Sequence, residues 1–139
     1  MGNTEIQWAD SVWNPTRGCS RVSEGCRNCY AERIAARFSS PLNIDGNRAF
    51  AGFANMTDAG PRWTGRVDLI AEKLDEPLHW RKPRRIFVNS MSDLFHEALS
   101  YPDVARVFDV MARAPRHTFQ VLTKRPARML EFTGWAQEN

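Results

Sequence analysis

Apolar residues recur along the chain at two spacings, one typical of helices and one typical of buried strands. Residues 30–38 and 102–114 carry apolar side chains at every third or fourth position, which predicts two amphipathic helices. Residues 84–88 end in a continuous apolar run from Ile86 to Val88, as strands of a parallel sheet do when both faces are buried, and residues 118–122 are predicted to form another strand. The predicted buried stripe of the first helix contains Tyr30, Ala31, Ile34, Ala35 and Phe38.

Weaker signals complete an alternation of strands and helices. We expect a first strand around residues 6–13, a second at 67–70, a helical or irregular segment at 72–80 and a last helix from Pro126 to about residue 132. This alternation predicts an α/β fold, with a parallel sheet of about four βα units and right-handed crossovers, in one domain over residues 1–139.

Residues 39–66 contain many glycine, proline and aspartate residues that interrupt regular structure. A segment of this length without helices or strands is uncommon inside a compact domain, and such segments often serve a function. We therefore expect an irregular excursion that could act as a lid.

Composition excludes several classes of protein. The chain has 139 residues, 42% of them hydrophobic and 25% charged, as ordinary globular domains have. No apolar run is long enough to span a membrane and the N-terminus lacks the features of a signal peptide, so we expect a cytoplasmic protein with no membrane partner.

The net charge of +3 is too small to identify a dedicated nucleic-acid binder. Basic residues nevertheless form two groups, which we expect to be solvated surface, with contact to an anionic substrate as the less favoured reading. They are Arg81, Lys82, Arg84 and Arg85, then Arg113, Arg116, Lys124, Arg125 and Arg128.

All three cysteines lie within eleven residues, at Cys19, Cys26 and Cys29, just before the first predicted helix. Thiolates are favoured at a helix N-terminus, and thiolates gathered on one loop favour a metal or cluster. Three ligands with an open fourth position suit a cubane iron–sulfur cluster. The alternatives are a zinc site closed by a histidine, for which His96 is the best placed, and three unpaired thiols.

Polar residues follow two of the predicted strands. In α/β sheets, ligands bind at the carboxyl ends of the strands, so these residues are candidates for cofactor or substrate contacts. Turn and capping chemistry explains the same residue types equally well. The candidates are Asn89, Ser90, Ser92, Asp93 and Lys124.

Four segments, residues 8–19, 25–32, 89–96 and 122–126, resemble the family of phage and bacterial proteins named for phage gene products 37 and 68. That family is similar to radical S-adenosylmethionine enzymes of the spore photoproduct lyase type. The resemblance implies a [4Fe–4S] cluster on the three cysteines, S-adenosylmethionine on its open iron, Tyr30 against the adenine and an electron donor. In a phage-encoded protein, the implied location is the host cytoplasm.

The resemblance also implies the N-terminal part of a partial barrel, and hence an incomplete barrel whose open sheet edge a protein partner could complete. Kinship with a DNA-repair branch suggests a nucleic-acid substrate. The sequence departs from the wider superfamily in its first cysteine gap, which is six residues rather than three, and in Asn28, which stands where an aromatic residue is usual. The alternatives to this enzyme are a non-catalytic zinc module that contacts nucleic acid or protein, and an inactive truncated remnant.

Overall fold

The computed structural model describes residues 8–21, 30–39 and 52–139, and the fold of this part is mixed α/β. A single turn of 3-10 helix, Ala71–Lys73, precedes the second helix. In chain order the other elements are β1 (Ser11–Trp13), β2 (Thr16–Arg17), α1 (Tyr30–Ser39), β3 (Ala54–Thr57), β4 (Gly60–Trp63), β5 (Asp68–Leu69), α2 (Glu76–His79), β6 (Arg85–Val88), α3 (Tyr101–Arg113), β7 (Thr118–Val121) and α4 (Pro126–Glu138).

A three-stranded parallel sheet, in the order β1-β6-β7, lies at the centre of the fold. Ser11 pairs with Ile86 on one side of β6, and Phe87 pairs with Gln120 on the other. β6 is buried from Ile86 to Val88, as its apolar run predicted. The predicted α/β class is confirmed. The sheet is open within the described residues, and the comparison with a partial barrel stays a prediction.

The strand predicted at residues 67–70 does not belong to this sheet. Its regular part, β5, pairs antiparallel with β2, so the parallel sheet has three strands in the described part of the chain rather than about four. The chain leaves the parallel sheet at Asn14 and Pro15, where the Pro15 carbonyl accepts a hydrogen bond from the Ile70 N–H at 2.8 Å. The segment after this turn, β2, pairs with β5 about fifty residues later, and the sequence around either strand does not indicate this pairing.

The hydrophobic core lies between the parallel sheet and helices α3 and α4. Ser100 caps α3 by accepting a hydrogen bond from the Asp103 N–H, and Val104, Val107 and Val110 are buried on the inner face of the helix. Trp13 of β1 is fully buried. The predicted helices at 102–114 and after Pro126 are both confirmed, and α4 continues to Glu138.

Helix α1 packs against the antiparallel hairpin β3–β4, which occupies part of the predicted excursion at 39–66. Residues 40–51 of that excursion lie outside the described residues, and its role as a lid stays a prediction. The predicted stripe of α1 needs correction, because Ile34 is 38% exposed while Ala31, Ala35 and Ala36 are buried. Small side chains turned inward let the hairpin approach the helix closely.

No helix in the described part of the chain is long and apolar enough to cross a membrane.

Candidate metal centre at the carboxyl end of the sheet

Three loops meet where the parallel strands end. They are residues 14–20 after β1, a stretch that includes the two residues of β2, residues 89–96 after β6 and residues 122–125 after β7. Hydrogen bonds join the first loop to the second, the second to the third and the third to the first. The structure therefore brings the predicted polar residues of the second and third loops together with Cys19.

Gly18 fixes the backbone just before Cys19. It forms a parallel bridge with Ser92, and the Thr16 hydroxyl donates to the Ser92 Oγ at 3.0 Å. Gly18 has a φ of +97°, and a Cβ at this position would lie 1.9 Å from the Arg66 carbonyl oxygen. Both the backbone conformation and the close approach require glycine.

The Cys19 thiol is half-buried and is not part of a disulfide. Its Sγ lies 3.5 Å from the Ser20 carbonyl oxygen and 3.9 Å from Nη1 of Arg125. Burial raises the pKa of the Cys19 thiol, and the positive charge of Arg125 opposes that rise. A cation at this distance favours any negative charge on the sulfur.

Cys26 and Cys29 lie outside the described residues. Within residues 8–21, 30–39 and 52–139, no group of three or more His, Cys, Asp and Glu side chains is placed to hold a metal ion. The three-cysteine ligand set therefore stays a prediction, with Cys19 as the member whose surroundings are described. The backbone of Tyr30 begins α1, and its side chain lies outside the description.

Arg125 is the functional candidate that sequence reasoning missed. We expected it to be solvated surface, but it is 5% exposed and forms ion pairs with Asp93 at 3.2 Å and Glu97 at 3.1 Å. Burial opposes its charge, but attraction to the ionised form of Cys19 and to the carboxylates of Asp93 and Glu97 raises the pKa of Arg125. The available sequence signal was its place just after β7, because the rule that ligands bind at the carboxyl ends of strands had already selected Lys124.

The Asp93 carboxylate is the centre of this network. Four donors converge on it: the Thr123 hydroxyl at 2.8 Å, the Phe95 N–H at 2.9 Å, the Lys124 N–H at 3.0 Å and Arg125 Nη1 at 3.2 Å. A carboxylate accepts about four hydrogen bonds, so its capacity is filled by the protein. Its evident task is to hold the second and third loops together.

Asn89, unlike Asp93, has a hydrogen-bonding group that the protein does not use. It is 4% exposed and adopts a φ of +62°, in the left-handed region that costs a non-glycine residue on the order of 1–3 kcal/mol. Its Oδ1 accepts a hydrogen bond from the Thr16 N–H at 3.3 Å, whereas its buried Nδ2 has no hydrogen-bond partner. This buried donor without a protein partner leaves room for an acceptor from a ligand or a water molecule.

Ser90 and Ser92 line the same edge. The Ser90 hydroxyl donates to Oδ1 of Asn14 at 3.3 Å, and the same oxygen accepts the Met91 N–H at 3.3 Å. Ser92 accepts from Thr16. Lys124 has an exposed side chain, and its N–H binds Asp93. The five predicted contact residues that follow β6 and β7 therefore lie around one edge, and their role toward a cofactor stays a prediction.

His96 lies on the Cys19 side of the site. Its Nδ1 accepts the Ala98 N–H at 3.0 Å, which places the proton of the neutral ring on Nε2, 2.8 Å from the Ser20 Oγ. Burial, together with the charge of Arg125, lowers the pKa of His96 and favours this neutral form. To serve as a zinc ligand, His96 would have to give up one of these bonds.

The described residues form a mixed α/β fold. A cysteine and a buried arginine lie together at the carboxyl edge of its parallel sheet. Residues 3–139 match the model of the family described as protein of unknown function (DUF5131), and the chain belongs to that family. No curated protein and no solved structure matches the chain.

Proposed function

We propose that the chain is an iron–sulfur protein of the radical S-adenosylmethionine type, in which Cys19, Cys26 and Cys29 hold a [4Fe–4S] cluster. The observation that carries the proposal is the position of Cys19, at the carboxyl end of a parallel sheet and 3.9 Å from the buried Arg125 guanidinium. Three thiolates and an iron–sulfur core carry net negative charge, so a cation beside one ligand suits this group.

The described residues fit this cofactor pair in a second respect. The unsatisfied Nδ2 of Asn89 needs an acceptor, and the carboxylate or an adenine nitrogen of S-adenosylmethionine would supply one. When bound, the cluster and S-adenosylmethionine supply one-electron radical chemistry that no amino-acid side chain provides.

In this proposal the chain's own residues bind and orient. Gly18 and Ser92 fix the backbone that carries Cys19. Asn89, Ser90, Ser92 and Lys124 line the edge where the cofactor would lie, and Tyr30 packs against its adenine. Asp93 acts indirectly, because its oxygens are already bound within the protein.

We propose a nucleic-acid substrate, a reducing electron donor and a cytoplasmic location, where free thiolates persist. A protein partner that completes the open edge of the sheet belongs to the same proposal. The sequence motifs and the basic residues support these assignments.

Anaerobic reconstitution with iron and sulfide tests the cluster. We expect about four iron and four sulfide per chain, with the broad visible absorbance of a cubane cluster, as the proposal requires. Replacing Cys19, Cys26 or Cys29 by Ser should remove the cluster, whereas His79→Ala, a change at an exposed histidine, should not. Conversion of S-adenosylmethionine to 5′-deoxyadenosine by the reduced protein tests the radical assignment.

Zinc in place of iron would contradict the proposal and support the alternative zinc module. The position of His96 supports that alternative, because its Nε2 forms a hydrogen bond with Ser20, the residue after Cys19. In that case His96→Ala should lower the zinc content along with each cysteine variant. A chain that binds neither metal would be the inactive remnant.

A further inference from the structure

Arg125 holds the residue next to Cys19 as well as the cysteine itself. Its Nη2 donates to the carbonyl oxygen and to the Oγ of Ser20, both at 3.1 Å, while its Nη1 faces Cys19 Sγ and Asp93. Its Nε donates to Glu97 at 3.1 Å. Every nitrogen of the guanidinium therefore has an acceptor, and these hydrogen bonds hold the planar group, or fork, in one orientation.

We infer that Arg125 is a positioning residue for Cys19 that also raises the reduction potential of a cluster bound there. This inference rests on the proposed function. The geometry gives Arg125 two tasks, since its fork ties the Ser20 backbone to the third loop and its charge lies beside the sulfur. A lysine could keep the charge but not the planar set of donors.

The direction of the effect follows from charge. One-electron reduction makes a cluster more negative, and a nearby cation favours the more negative state. Removal of Arg125 should therefore lower the reduction potential. Charges and hydrogen bonds near the sulfurs are recognised determinants of cluster potentials, which gives this effect a direct physical basis.

The other groups that face Arg125 set the size of the effect. Asp93 is buried and Glu97 is largely exposed, and both carboxylates offset its charge. His96 is also near, and burial lowers its pKa, which favours its uncharged form. Glu97→Gln removes one negative charge and keeps an acceptor for Arg125 Nε. This change should therefore raise the reduction potential, opposite to the effect of Arg125→Gln.

The test uses the full chain, reconstituted without oxygen and titrated with dithionite in the presence of redox mediators. Electron paramagnetic resonance of the reduced cluster reports its population. Relative to the unaltered chain, we expect Arg125→Gln to lower the reduced-to-oxidised ratio at a fixed potential about tenfold, equal to 59 mV for one electron. Arg125→Lys should recover most of that shift, and Glu97→Gln should shift the ratio in the other direction.

Glu131→Gln is the matched control. Glu131 is another exposed carboxylate with a hydrogen-bond partner, the Tyr101 hydroxyl at 2.9 Å, and it should leave the potential unchanged. Equal potentials in the unaltered chain, Arg125→Gln and Glu97→Gln would overturn the inference. If Arg125→Gln fails to fold, the upward shift in Glu97→Gln still decides the question.

Positioning has a separate readout in the cluster-free protein. Hydrogen exchange around residues 17–21 should be faster in Arg125→Gln than in the unaltered chain, with Arg125→Lys between them. Unchanged exchange would contradict the positioning role. If the unaltered chain takes up no cluster, the proposed function fails and the potential assignment fails with it. If the cluster assembles and only the shifts are missing, the inference alone fails.

Discussion

The Glu32 carboxylate on α1 accepts two hydrogen bonds from the Arg21 guanidinium, at 2.9 and 2.7 Å from one oxygen. Its other oxygen accepts the Trp63 N–H of β4 at 3.0 Å. Glu32 is 1% exposed, so a buried carboxylate joins three parts of the fold. Arg21 lies two residues after Cys19, and this ion pair therefore links the cysteine-bearing segment to the helix that follows the cysteine motif.

Replacing Glu32 by Ala should lower the free energy of unfolding by about 3 kcal/mol, the lower end of what breaking a buried ion pair costs, because Arg21 remains partly exposed to water. Urea denaturation measures this change. Glu72→Ala, at an exposed position, is the control and should change stability by less than about 0.5 kcal/mol. Equal stabilities of the two variants would contradict the assigned role of Glu32.

Gly18→Ala should destabilise the fold by more than about 1 kcal/mol, because the added Cβ meets the Arg66 carbonyl and the backbone is left-handed. Gly65→Ala is the matched control, since Gly65 has a φ of +89° but no atom within 4 Å of an added Cβ. The two variants share the backbone cost, and the difference between their thermal midpoints isolates the steric contact. A larger loss in Gly65→Ala would refute this account.

Asp93→Asn should cost about 3 kcal/mol or more, because it leaves the buried Arg125 guanidinium without its buried counter-charge. The double variant Asp93→Asn with Arg125→Gln should lose less stability than the two single variants combined, since residues of one network are not additive. A double-mutant cycle by urea denaturation measures the coupling. Additive losses would show that the pair contributes no specific energy.

Asp10 provides a pH-dependent contribution to stability. Hydrogen bonds from the Arg85 side chain, and then from its backbone N–H, lower the pKa of the Asp10 carboxyl in the folded protein. Unfolding raises that pKa to its ordinary value, near 4. The stabilisation is therefore complete above about pH 5 and is lost as the pH falls through the lowered folded value.

Asp10→Asn should flatten the acid side of the stability profile by a small amount, because the pair is exposed to solvent. Thermal midpoints recorded between pH 2 and pH 6 test this, with Asp58→Asn as an exposed comparison. Identical acid slopes in Asp10→Asn and the unaltered chain would rule out the proposed linkage.

Local pattern was sufficient where an element depends on its own residues. The helix from Tyr101 and the strands at 85–88 and 118–121 follow from periodicity, capping and apolar runs, and all are present. The same reasoning failed at 67–70, because whether a short apolar run joins a parallel sheet or pairs with β2 depends on a partner more than fifty residues away. It failed at Ile34 because the hairpin selects the alanine face of α1.

The sequence predicted where the site residues lie better than it predicted the hydrogen bonds and ion pairs between them. The carboxyl-end rule selected Asn89, Ser92, Asp93 and Lys124, which do lie around one edge of the sheet. The same rule applies to Arg125, one position after Lys124, but its burial could not be predicted because it depends on Asp93 and Glu97, about thirty positions earlier in the chain. The strain at Asn89 is likewise a property of the folded backbone.

The contact between Cys19 and Arg125 spans 106 residues of sequence. During translation, Cys19 emerges from the ribosome long before the arginine that will flank it, and before β6, whose pairing with β1 fixes the start of its loop. Until Arg125 emerges, the nascent thiol lacks this cation and the fork that holds Ser20. In the proposed function, assembly of the cluster is therefore expected to follow synthesis rather than accompany it.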